Sequence, residues 1–349
     1  MKRPRTIDDI ARQNNVSKST VSRALNGSSR ISEATRRRIL ATARKLHYEP
    51  NYLARNLSRS RTLSIGVILE DIMNPFFTEV AKGIETVLAK AGYTLLLASS
   101  GYVQETELEA VRTLLRNRVD GVLITPVSIT SPALALLEAR KVPCFVMNEK
   151  SESPDLNWID SDNIAGGYLA TDHLLQMGHR RFIVLRNLDL HGTRDRFQGT
   201  RKALEDRRIP LSDQIVLDGA ATRQDGTRLL DRLLGSVKLR DLPTALIATN
   251  DLVAIGAMES LLARGISIPG RVSIVGYDDI YLAGLVRVPL TTVHQAKYRM
   301  GQIAATGLLH MLDGRQDARG QQFLIKPRLI IRASCTRPRP IRSRAEEGT

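Results

Sequence analysis

The side chains best suited to chemistry at a defined spacing lie near the N-terminus, on the outward face of a short predicted helix. After Ser17, the helical pattern turns Val21, Ala24 and Leu25 inward. The outward face then carries short polar groups and two cations, at Lys18, Ser19, Ser22 and Arg23. An arginine can donate two hydrogen bonds at once to O6 and N7 of guanine, and hydroxyl groups bind phosphate oxygens. The chemistry that these residues offer is therefore hydrogen bonding to a nucleic acid.

The positive charge of the chain is concentrated in the same region. The net charge is +15 over 349 residues, and residues 1–61 carry +11 of it, from fifteen Lys and Arg against four Asp and Glu. The segment 337–349 carries +2, so the 275 residues between these two segments are nearly neutral, also at +2. A compact basic segment is typical of polyanion binding, because Lys and Arg release counterions that are condensed on phosphates. A solubilising basic arm would have the same charge, so the helical pattern has to distinguish the two.

Three short helices are predicted in this basic segment. The first begins after Thr6 and stops near Asn14, the second begins after Ser17, and the third begins after Ser32 and is ended by Pro50. Their apolar sides are Ile7, Ile10 and Ala11 in the first helix and Ile39, Leu40, Ala43 and Leu46 in the third. Two helices joined by a tight turn, with short polar groups and an arginine on the second, form the helix-turn-helix arrangement that fits the major groove.

The same residues resemble a known family. The run from Thr6 to Asn26, TIDDIARQNNVSKSTVSRALN, and the run YEPNYLA at 48–54 with Leu57 closely resemble the headpiece of the LacI/GalR (lactose-repressor) family. Shorter matches continue through nearly the whole chain, at IGVI (65–68), NPFF (74–77), GV (121–122), DN (162–163), HLLxxGH (173–179), TND (249–251), AxGA (254–257), VGYDD (275–279) and PLTTV (289–293). Only the last dozen residues fall outside the resemblance.

The resemblance implies DNA contacts for individual residues. Base contacts are implied for Lys18, Ser19 and Arg23, of which an arginine reads a base most sharply. Phosphate contacts are implied for five short polar residues, Thr6, Ser17, Thr20, Ser22 and Asn26. Helix capping explains Thr6 and Ser17 equally well, and both roles can coexist.

Residues 51–57 are expected to form a hinge helix that needs help to fold, because seven residues cannot offset the cost of helix nucleation. In the family, this hinge becomes helical when two copies pair on operator DNA. The resemblance implies minor-groove contacts for Asn51, Ala54 and Leu57, with Leu57 as the wedge between base pairs. Without the resemblance, Leu57 would be read as an ordinary apolar residue of a linker.

The pattern of apolar residues changes after the polar segment 58–62. Short aliphatic runs, predicted as parallel strands, alternate with predicted helices. The strands are expected at 63–69, 93–98, 121–125, 143–147, 182–185, 215–217, 245–248 and 272–275, and the helices include 75–90, 105–117, 164–177, 197–207 and 252–264. We expect an α/β fold: a helix-turn-helix headpiece at 1–50, a hinge helix and linker at 51–62, and a basic flexible tail at 337–349. The core at 63–336 is expected to hold two α/β subdomains with doubly wound parallel sheets, similar to a periplasmic binding protein.

Polar side chains at the carboxyl ends of these strands suit a small ligand held in a cleft. The resemblance implies effector contacts from Asn74, Asp162, Arg196, Asn250 and Asp278, with Phe76, Phe77 and Trp158 as apolar walls. The planar guanidinium of Arg196 can hold vicinal hydroxyls or a carboxylate of a ligand. Alternatively, Arg196 has a structural role and forms an ion pair with Asp195 or Glu205. Asp162 and Asp278 can instead be N-caps or turn residues, and Asn250 can cap the helix that follows it.

Motifs for catalysis, cofactors and metals are missing from the sequence. The first strand is followed by EDIMNP at 70–75, without a dinucleotide or phosphate loop, and no G-x-S-x-G elbow occurs. Cys144 and Cys335 are far apart, and His173 and His179 are expected to be packing or surface histidines. We therefore expect no enzyme, no cofactor and no metal site, and a cytoplasmic location because no signal peptide or membrane span is seen.

The sequence thus predicts a transcriptional regulator that binds near-palindromic operator DNA as a homodimer and responds to a small-molecule effector. A sugar or sugar derivative is the expected effector, and a corepressor such as a nucleobase is the alternative; induction and corepression both stay open. A dimer is expected because one headpiece buries too little surface for tight binding and the tail has no leucine heptad. The rival classes are a sugar-binding transport component and an enzyme acting through Asp162 and Asp278.

Overall fold

The computed structural model describes residues 6–25, 28, 30–46, 48, 61–315 and 318–338. The chain divides into two compact units, residues 1–62 and 63–349. Four of the residues with a predicted DNA contact, Asn26, Asn51, Ala54 and Leu57, lie outside the described residues. No described helix is long and apolar enough to cross a membrane.

The described part of the first unit contains three helices, α1 (Ile7–Asn14), α2 (Lys18–Leu25) and α3 (Glu33–Lys45), as the periodicity predicts. Asn15 joins α1 to α2 with a φ of 52°, a left-handed conformation that asparagine tolerates better than most residues. The helices share one small apolar core, made by Ile10, Ala11, Val21, Ala24, Ile39 and Ala43. Because this core takes the inward face of α2, the opposite face of that helix is left exposed.

The second unit contains two six-stranded sheets. The first sheet has the strand order β11-β5-β4-β3-β1-β2 and the second has the order β12-β10-β9-β8-β6-β7. The strands of the first sheet are β1 (Ser64–Leu69), β2 (Thr94–Ser99), β3 (Gly121–Ile124), β4 (Cys144–Met147), β5 (Asn157–Ser161) and β11 (Gln322–Ile325). Those of the second are β6 (Phe182–Arg186), β7 (Ile215–Asp218), β8 (Ala245–Ala248), β9 (Ser273–Asp278), β10 (Thr291–His294) and β12 (Arg328–Ile330). All strand pairs are parallel except β10 with β12, so the predicted pair of doubly wound sheets is confirmed with one antiparallel edge strand.

Helices connect successive strands and cover the sheets, as parallel pairing requires. They are α4 (Pro75–Lys90), α5 (Gln104–Arg116), α6 (Pro132–Ala139), α7 (Asn163–Gln176), α8 (His191–Asp206), α9 (Arg223–Ser236), α10 (Asp251–Ala263) and α11 (Lys297–Leu312). Glycines with positive φ follow three of them, at Gly92, Gly178 and Gly265, where the sequence predicts helix ends.

The chain crosses between the two sheets after β5, after β10 and after β11, and α11 packs along α4 beside the first sheet. Two glycines permit this close packing: a Cβ atom on Gly83 would lie 2.1 Å from the carbonyl oxygen of Tyr298, and one on Gly301 would lie 2.1 Å from that of Val80. The last helix and β11 therefore tie the C-terminal part of the chain to the subdomain formed by its first half.

One helix begins earlier than predicted. Helix α8 begins at His191 instead of Phe197, so the predicted start is wrong by nearly two turns. Its first turns carry polar residues and face a cavity instead of the apolar core, which is why no apolar stripe marks them. This extension places Asp195 and Arg196 on a regular helix.

Candidate functional site

The exposed face of α2 presents the three residues with predicted base contacts. Lys18, Ser19 and Arg23 are all exposed to solvent. The Nζ atom of Lys18 lies 2.7 Å from Oδ1 of Asp8 on α1, an ion pair of exposed groups that is worth little in water. Arg23 stands on the last turns of the helix, next to Ala24, which is buried in the core. The geometry therefore leaves its guanidinium open to a partner outside the chain.

Three of the residues with predicted phosphate contacts, Thr6, Ser17 and Thr20, lie at the N-terminal ends of α1 and α2. The backbone N–H of Thr6 donates to Asp9 Oδ2 (2.9 Å), which stabilises the start of α1. Ser17 caps α2, since its hydroxyl accepts from the backbone N–H of Thr20 (3.1 Å). Both capping roles, given as alternatives from the sequence, are thus present, and a cap leaves the remaining N–H groups of the helix end free to hold an anion. Ser22 is half-buried on the same helix.

A cavity in the second unit lies where strand ends of the two sheets meet. Its open space, counted together with the solvent at its mouth, is about 460 Å³. Six residues that the resemblance assigned to the effector line it, namely Asn74, Phe76, Phe77, Arg196, Asn250 and Asp278. Its other lining residues are Glu70, Tyr102, Asn148, Glu149, Leu190, His191, Gly192 and Thr193.

Two helix starts position part of the lining. Asn74 caps α4, accepting from the backbone N–H of Phe76 (3.0 Å), and so holds the buried rings of Phe76 and Phe77 at the cavity. These rings meet edge to face with their centroids 5.0 Å apart. Asn250 caps α10, accepting from the N–H of Val253 (2.8 Å), as its alternative role anticipates. Capping and lining are compatible, because each amide side chain sits at the first turn of a helix that points at the cavity.

Arg196 is held rigidly in the cavity wall. Its Nε donates to Asn163 Oδ1 (2.9 Å), its Nη1 donates to the carbonyl oxygen of Thr249 (2.7 Å), and the guanidinium stacks 3.8 Å above the ring of Tyr277. Its nearest carboxylate is Asp278, with Nη1 3.6 Å from Oδ1. The alternative ion pair with Asp195 or Glu205 does not form. Its remaining terminal nitrogen, Nη2, donates to none of the described residues and is available to a ligand.

Asp278 ends β9 in a conformation that few residues adopt. Its φ is 111°, in the region that favours glycine, which indicates backbone strain at the cavity. Its Oδ1 accepts from Gln295 Nε2 (2.7 Å), and its carbonyl oxygen accepts from the buried Nζ of Lys297 (2.7 Å). Lys297 also lies 3.5 Å from Glu79 on α4. A residue of the cavity wall is thus connected through one buried cation to the first subdomain.

Trp158 and Asp162 are not among the residues that line this cavity. Trp158 packs in the apolar cluster of the first sheet with Val122, Val146 and Ile68, because its position in β5 points it to that side. Asp162 caps α7, accepting from the backbone N–H of Ala165 (3.0 Å), which is the alternative role that the sequence allows.

Sequence reasoning missed six polar lining residues: Glu70, Tyr102, Asn148, Glu149, His191 and Thr193. A signal for three of them was present, since Glu70 directly follows β1, and Asn148 and Glu149 directly follow β4, at the strand ends where ligands bind. Burial raises the pKa of Glu149 to about 9, assisted by Asp160, Glu70 and Asp195. Burial likewise raises the pKa of Glu70 to about 8, with Glu107 next in effect. The cavity therefore contains carboxyl groups that retain protons near neutral pH while it is empty.

Replacing Glu149 with glutamine is expected to change how stability depends on pH. The folded-state pKa, about 9, exceeds the ordinary value of 4.5, so the stabilisation is complete below pH 4.5 and is lost as pH rises through about 9. Glutamine does not titrate, so the Glu149→Gln variant does not lose this stabilisation as the pH rises. We expect Glu149→Gln to match the parent melting temperature at pH 5 and to exceed it by several degrees at pH 9, at roughly 2–4 °C per kcal/mol.

The measurement is thermal unfolding across this pH range. Glu85→Gln, on the exposed face of α4, is the control and should follow the parent at each pH. Parallel curves for Glu149→Gln and the parent would contradict the assignment. The charged groups that act on Glu149 in this experiment are Asp160, Glu70, Asp195, Arg194 and His191.

The remaining histidines and cysteines indicate no chemistry. His179 is buried, with Nδ1 2.8 Å from Thr244 Oγ1 and Nε2 2.9 Å from the carbonyl oxygen of Thr336, and thus has a packing role. Burial raises the pKa of the Cys144 thiol to about 12, which makes it a poor nucleophile. Within the described ranges, no group of three or more His, Cys, Asp or Glu side chains could hold a metal ion.

Comparisons with known proteins point to one family. Residues 6–51 match the bacterial regulatory proteins of the lacI family, and residues 171–335 match a periplasmic binding protein-like domain. The chain is 34% identical over 333 residues to the HTH-type transcriptional repressor PurR of Haemophilus influenzae, covering 94% of this chain and 98% of that protein. The structure of a Lac repressor dimer bound to operator and the anti-inducer ONPF is similar with a TM-score of 0.84, at 27% identity, covering 96% of this chain and all of that one. A LacI family transcriptional regulator from Enterococcus faecium with bound ribose has a TM-score of 0.70 at 30% identity, covering 79% of this chain and all of that one.

Proposed function

This chain belongs to the lacI family of bacterial regulatory proteins, and from that premise we propose that it represses transcription as a homodimer under the control of a small hydroxylated effector. The resemblance seen in the sequence is confirmed: the chain is a DNA-binding transcriptional repressor with an effector-binding domain and is not an enzyme. The individual contacts, the subunit arrangement and the class of effector are the proposed part.

For the DNA, we propose that α2 enters the major groove and that Arg23 reads a base while Lys18 and Ser19 assist. The exposed position of all three side chains supports this assignment, since the core residues of α2 lie on its other side. The helix starts at Thr6 and Ser17, with Thr20, Ser22 and Asn26, would hold phosphates. Asn51, Ala54 and Leu57 keep their proposed role at the minor groove.

For the effector, the cavity is the proposed site, and the geometry of Arg196 is the observation that carries it. Its guanidinium is locked by Asn163, Thr249 and Tyr277, yet Nη2 is left for a ligand. A preorganised donor among carboxyl and amide oxygens suits a molecule with several hydroxyl groups, and ribose occupies the related regulator from Enterococcus faecium. Trp158 and Asp162 are assigned to packing and capping in this proposal.

A nucleobase is the second candidate, and the aromatic lining favours it. Phe76, Phe77 and Tyr102 present rings to the cavity, and a planar base gains dispersion energy from such neighbours. A sugar also packs on these rings, so the two classes differ mainly in how many hydroxyl groups they offer to the carboxyl oxygens.

For the dimer, we propose an interface on the second unit. Large apolar side chains are exposed there, at Ile72, Met73, Leu97, Tyr281 and Leu285, and an interface between two copies would cover such side chains. Leu97 lies on β2, the edge strand of the first sheet, where a second copy could cover it. Two paired headpieces would then match the two halves of a near-palindromic operator.

Two cationic links between the subdomains suggest how the effector would act. Lys150, after β4, lies 2.6 Å from Asp195 on α8, and Lys297 joins the carbonyl oxygens of Asp278 and Asp279 to α11. A ligand in the cavity that prefers one arrangement of these links would shift the angle between the subdomains and hence the spacing of the headpieces. Coupling of about 1–3 kcal/mol is sufficient for a useful switch.

The proposal is tested by selecting bound sequences from random duplex DNA with the full-length protein, followed by titration with sugars and nucleobases. We expect a near-palindromic consensus and an affinity that changes on addition of one ligand class. A protein without residues 1–61 should keep the ligand response in thermal unfolding but lose DNA binding. If the full-length protein selects no sequence over random competitor, with or without ligands, the proposed function is wrong.

A further inference from the structure

The polar groups left without partners in the cavity are mostly hydrogen-bond acceptors. Glu149 is only 5% exposed, and its carboxylate accepts no hydrogen bond from the described residues. The nearest basic side chain is His191, with Nδ1 3.6 Å from Oε1. Asn148, the preceding residue, has a buried Oδ1 with no hydrogen-bond partner in the described part of the chain. Such groups cost free energy when buried alone, so this wall of the cavity requires donors from a ligand.

Carboxyl groups outnumber cations in the cavity. Three carboxyl groups line it, from Glu70, Glu149 and Asp278, whereas Arg196 is the only Lys or Arg among the lining residues. Arg196 already interacts with Asp278 and two further acceptors. Its charge also lowers the pKa of Glu70, but burial has the larger effect and raises the pKa of Glu70 to about 8.

The other cations near the cavity are engaged as well. The Nζ atom of Lys150 lies 2.6 Å from Asp195, and Nζ of Lys297 donates to the carbonyl oxygens of Asp278 and Asp279. Burial lowers the pKa of His191, which leaves this ring neutral at physiological pH. Arg194, whose charge also acts on Glu149, donates to the carbonyl oxygen of Leu188. Glu149 and Glu70 therefore stay protonated at pH 7 when no ligand is bound, and a cationic group beside them would favour their ionised form.

We propose that the effector carries a protonated amino group, which binds against Glu149, Glu70 and Asn148, while an oxygen atom of the same molecule accepts from Arg196 Nη2. The proposal rests on the proposed function, since it concerns the ligand of the same cavity. An ammonium group supplies three donors and a positive charge that favours the ionised form of Glu149, which matches the acceptors on this wall. The chemical class is an amino sugar or another small hydroxylated amine.

Binding of such a ligand would release a proton. Glu149, which holds its proton in the empty cavity because burial raises its pKa to about 9, would ionise beside the ammonium group. A neutral sugar gives no such release, because nothing in it stabilises the ionised carboxylate. Proton release is therefore a signature that separates an ammonium contact from ordinary hydroxyl binding.

Matched pairs of probes test the proposal with the full-length protein at pH 7. Each pair has an amine and the corresponding alcohol: glucosamine and glucose, galactosamine and galactose, mannosamine and mannose, and 4-amino-1-butanol and 1,4-butanediol. Titration calorimetry in two buffers of different ionisation enthalpy measures affinity and proton release together. We expect at least one amine to bind tenfold or more tightly than its alcohol, with release of up to one proton.

Glu149→Gln should lower the affinity for that amine at least tenfold and abolish the proton release, and Glu70→Gln should weaken binding in the same direction. Glu85→Gln, an exposed carboxyl on α4, is the matched control and should bind like the parent. The proposal is overturned if every alcohol binds as well as its amine, if no amine in the set binds, or if Glu149→Gln retains the preference. It is also overturned if gluconate or glucose 6-phosphate binds more tightly than the amines.

Operator binding distinguishes this failure from failure of the proposed function. If the protein selects an operator and a neutral sugar or nucleobase changes its affinity, the repressor function stands and only the amine is wrong. If no DNA sequence is selected, both proposals fail.

Discussion

Replacing Arg196 with alanine is expected to abolish the response to the effector while operator affinity stays within threefold of the parent. The side chain is almost fully buried, and its removal leaves Asn163 Oδ1 and the carbonyl oxygen of Thr249 without this donor and Asp278 without this ion-pair partner. Truncating one partner of a buried, hydrogen-bonded charge pair costs about 2–5 kcal/mol, or roughly thirtyfold to several-thousandfold in affinity. The headpiece does not depend on these contacts, so DNA binding serves as an internal measure of folding.

The measurement is operator affinity at increasing effector concentration, up to 100 times the dissociation constant of the parent. Arg196→Lys should be nearly as deficient, because an ammonium group cannot reproduce the planar set of donors. Arg201→Ala, on the exposed side of the same helix, is the control and should respond fully. A parent-like response from Arg196→Ala would exclude this residue from the effector site.

Replacing Arg23 with alanine is expected to remove the preference for one base pair in each half of the operator. A bidentate contact between arginine and guanine contributes about 1–3 kcal/mol of discrimination, which is roughly fivefold to 150-fold for each half-site. The exposed side chain makes no contact that the fold needs, so stability should be unchanged. Competition between the operator and its single-base variants measures the preference directly.

Arg12→Ala provides the matched control for this experiment. It removes one positive charge from the exposed face of α1, so it should weaken binding to every sequence alike and reduce the salt dependence. If Arg23→Ala behaves in the same way, with its base preference intact, then Arg23 contacts a phosphate and the proposed recognition by α2 is wrong.

The apolar periodicity was sufficient to predict much of the fold. The bounds of α4 at Pro75 and Lys90 agree with the structure, because a proline starts that helix and an apolar stripe runs along it. The start of α8 could not be predicted in this way, since its first turns face the cavity and carry polar residues. The antiparallel β12 and the return of α11 to the first subdomain also have no local signal, because both depend on contacts between distant parts of the chain.

The residues of the cavity also divide into those that the sequence could predict and those that only the structure shows. Asn74, Arg196, Asn250 and Asp278 could be found through the family resemblance. The sequence could not predict that Asn148, Glu149 and His191 share one wall of the cavity. His191 is distant in the sequence from the other two, and the three form this wall only because β4 and α8 come together in the fold. Burial raises the pKa of Glu149, and the burial of a residue cannot be read from its position in the sequence.

The sequence by itself determined the class of the protein: a basic helix-turn-helix followed by two parallel α/β subdomains, which is the architecture of a ligand-controlled repressor. These features follow from local patterns, in charge, capping residues and apolar spacing, that a linear chain contains in full. Only the tertiary structure decided which polar groups share the cavity, which of them already have partners, and how burial changes the pKa of its carboxyl groups. Those properties depend on distances and on exclusion of water, which arise when the two sheets enclose the site.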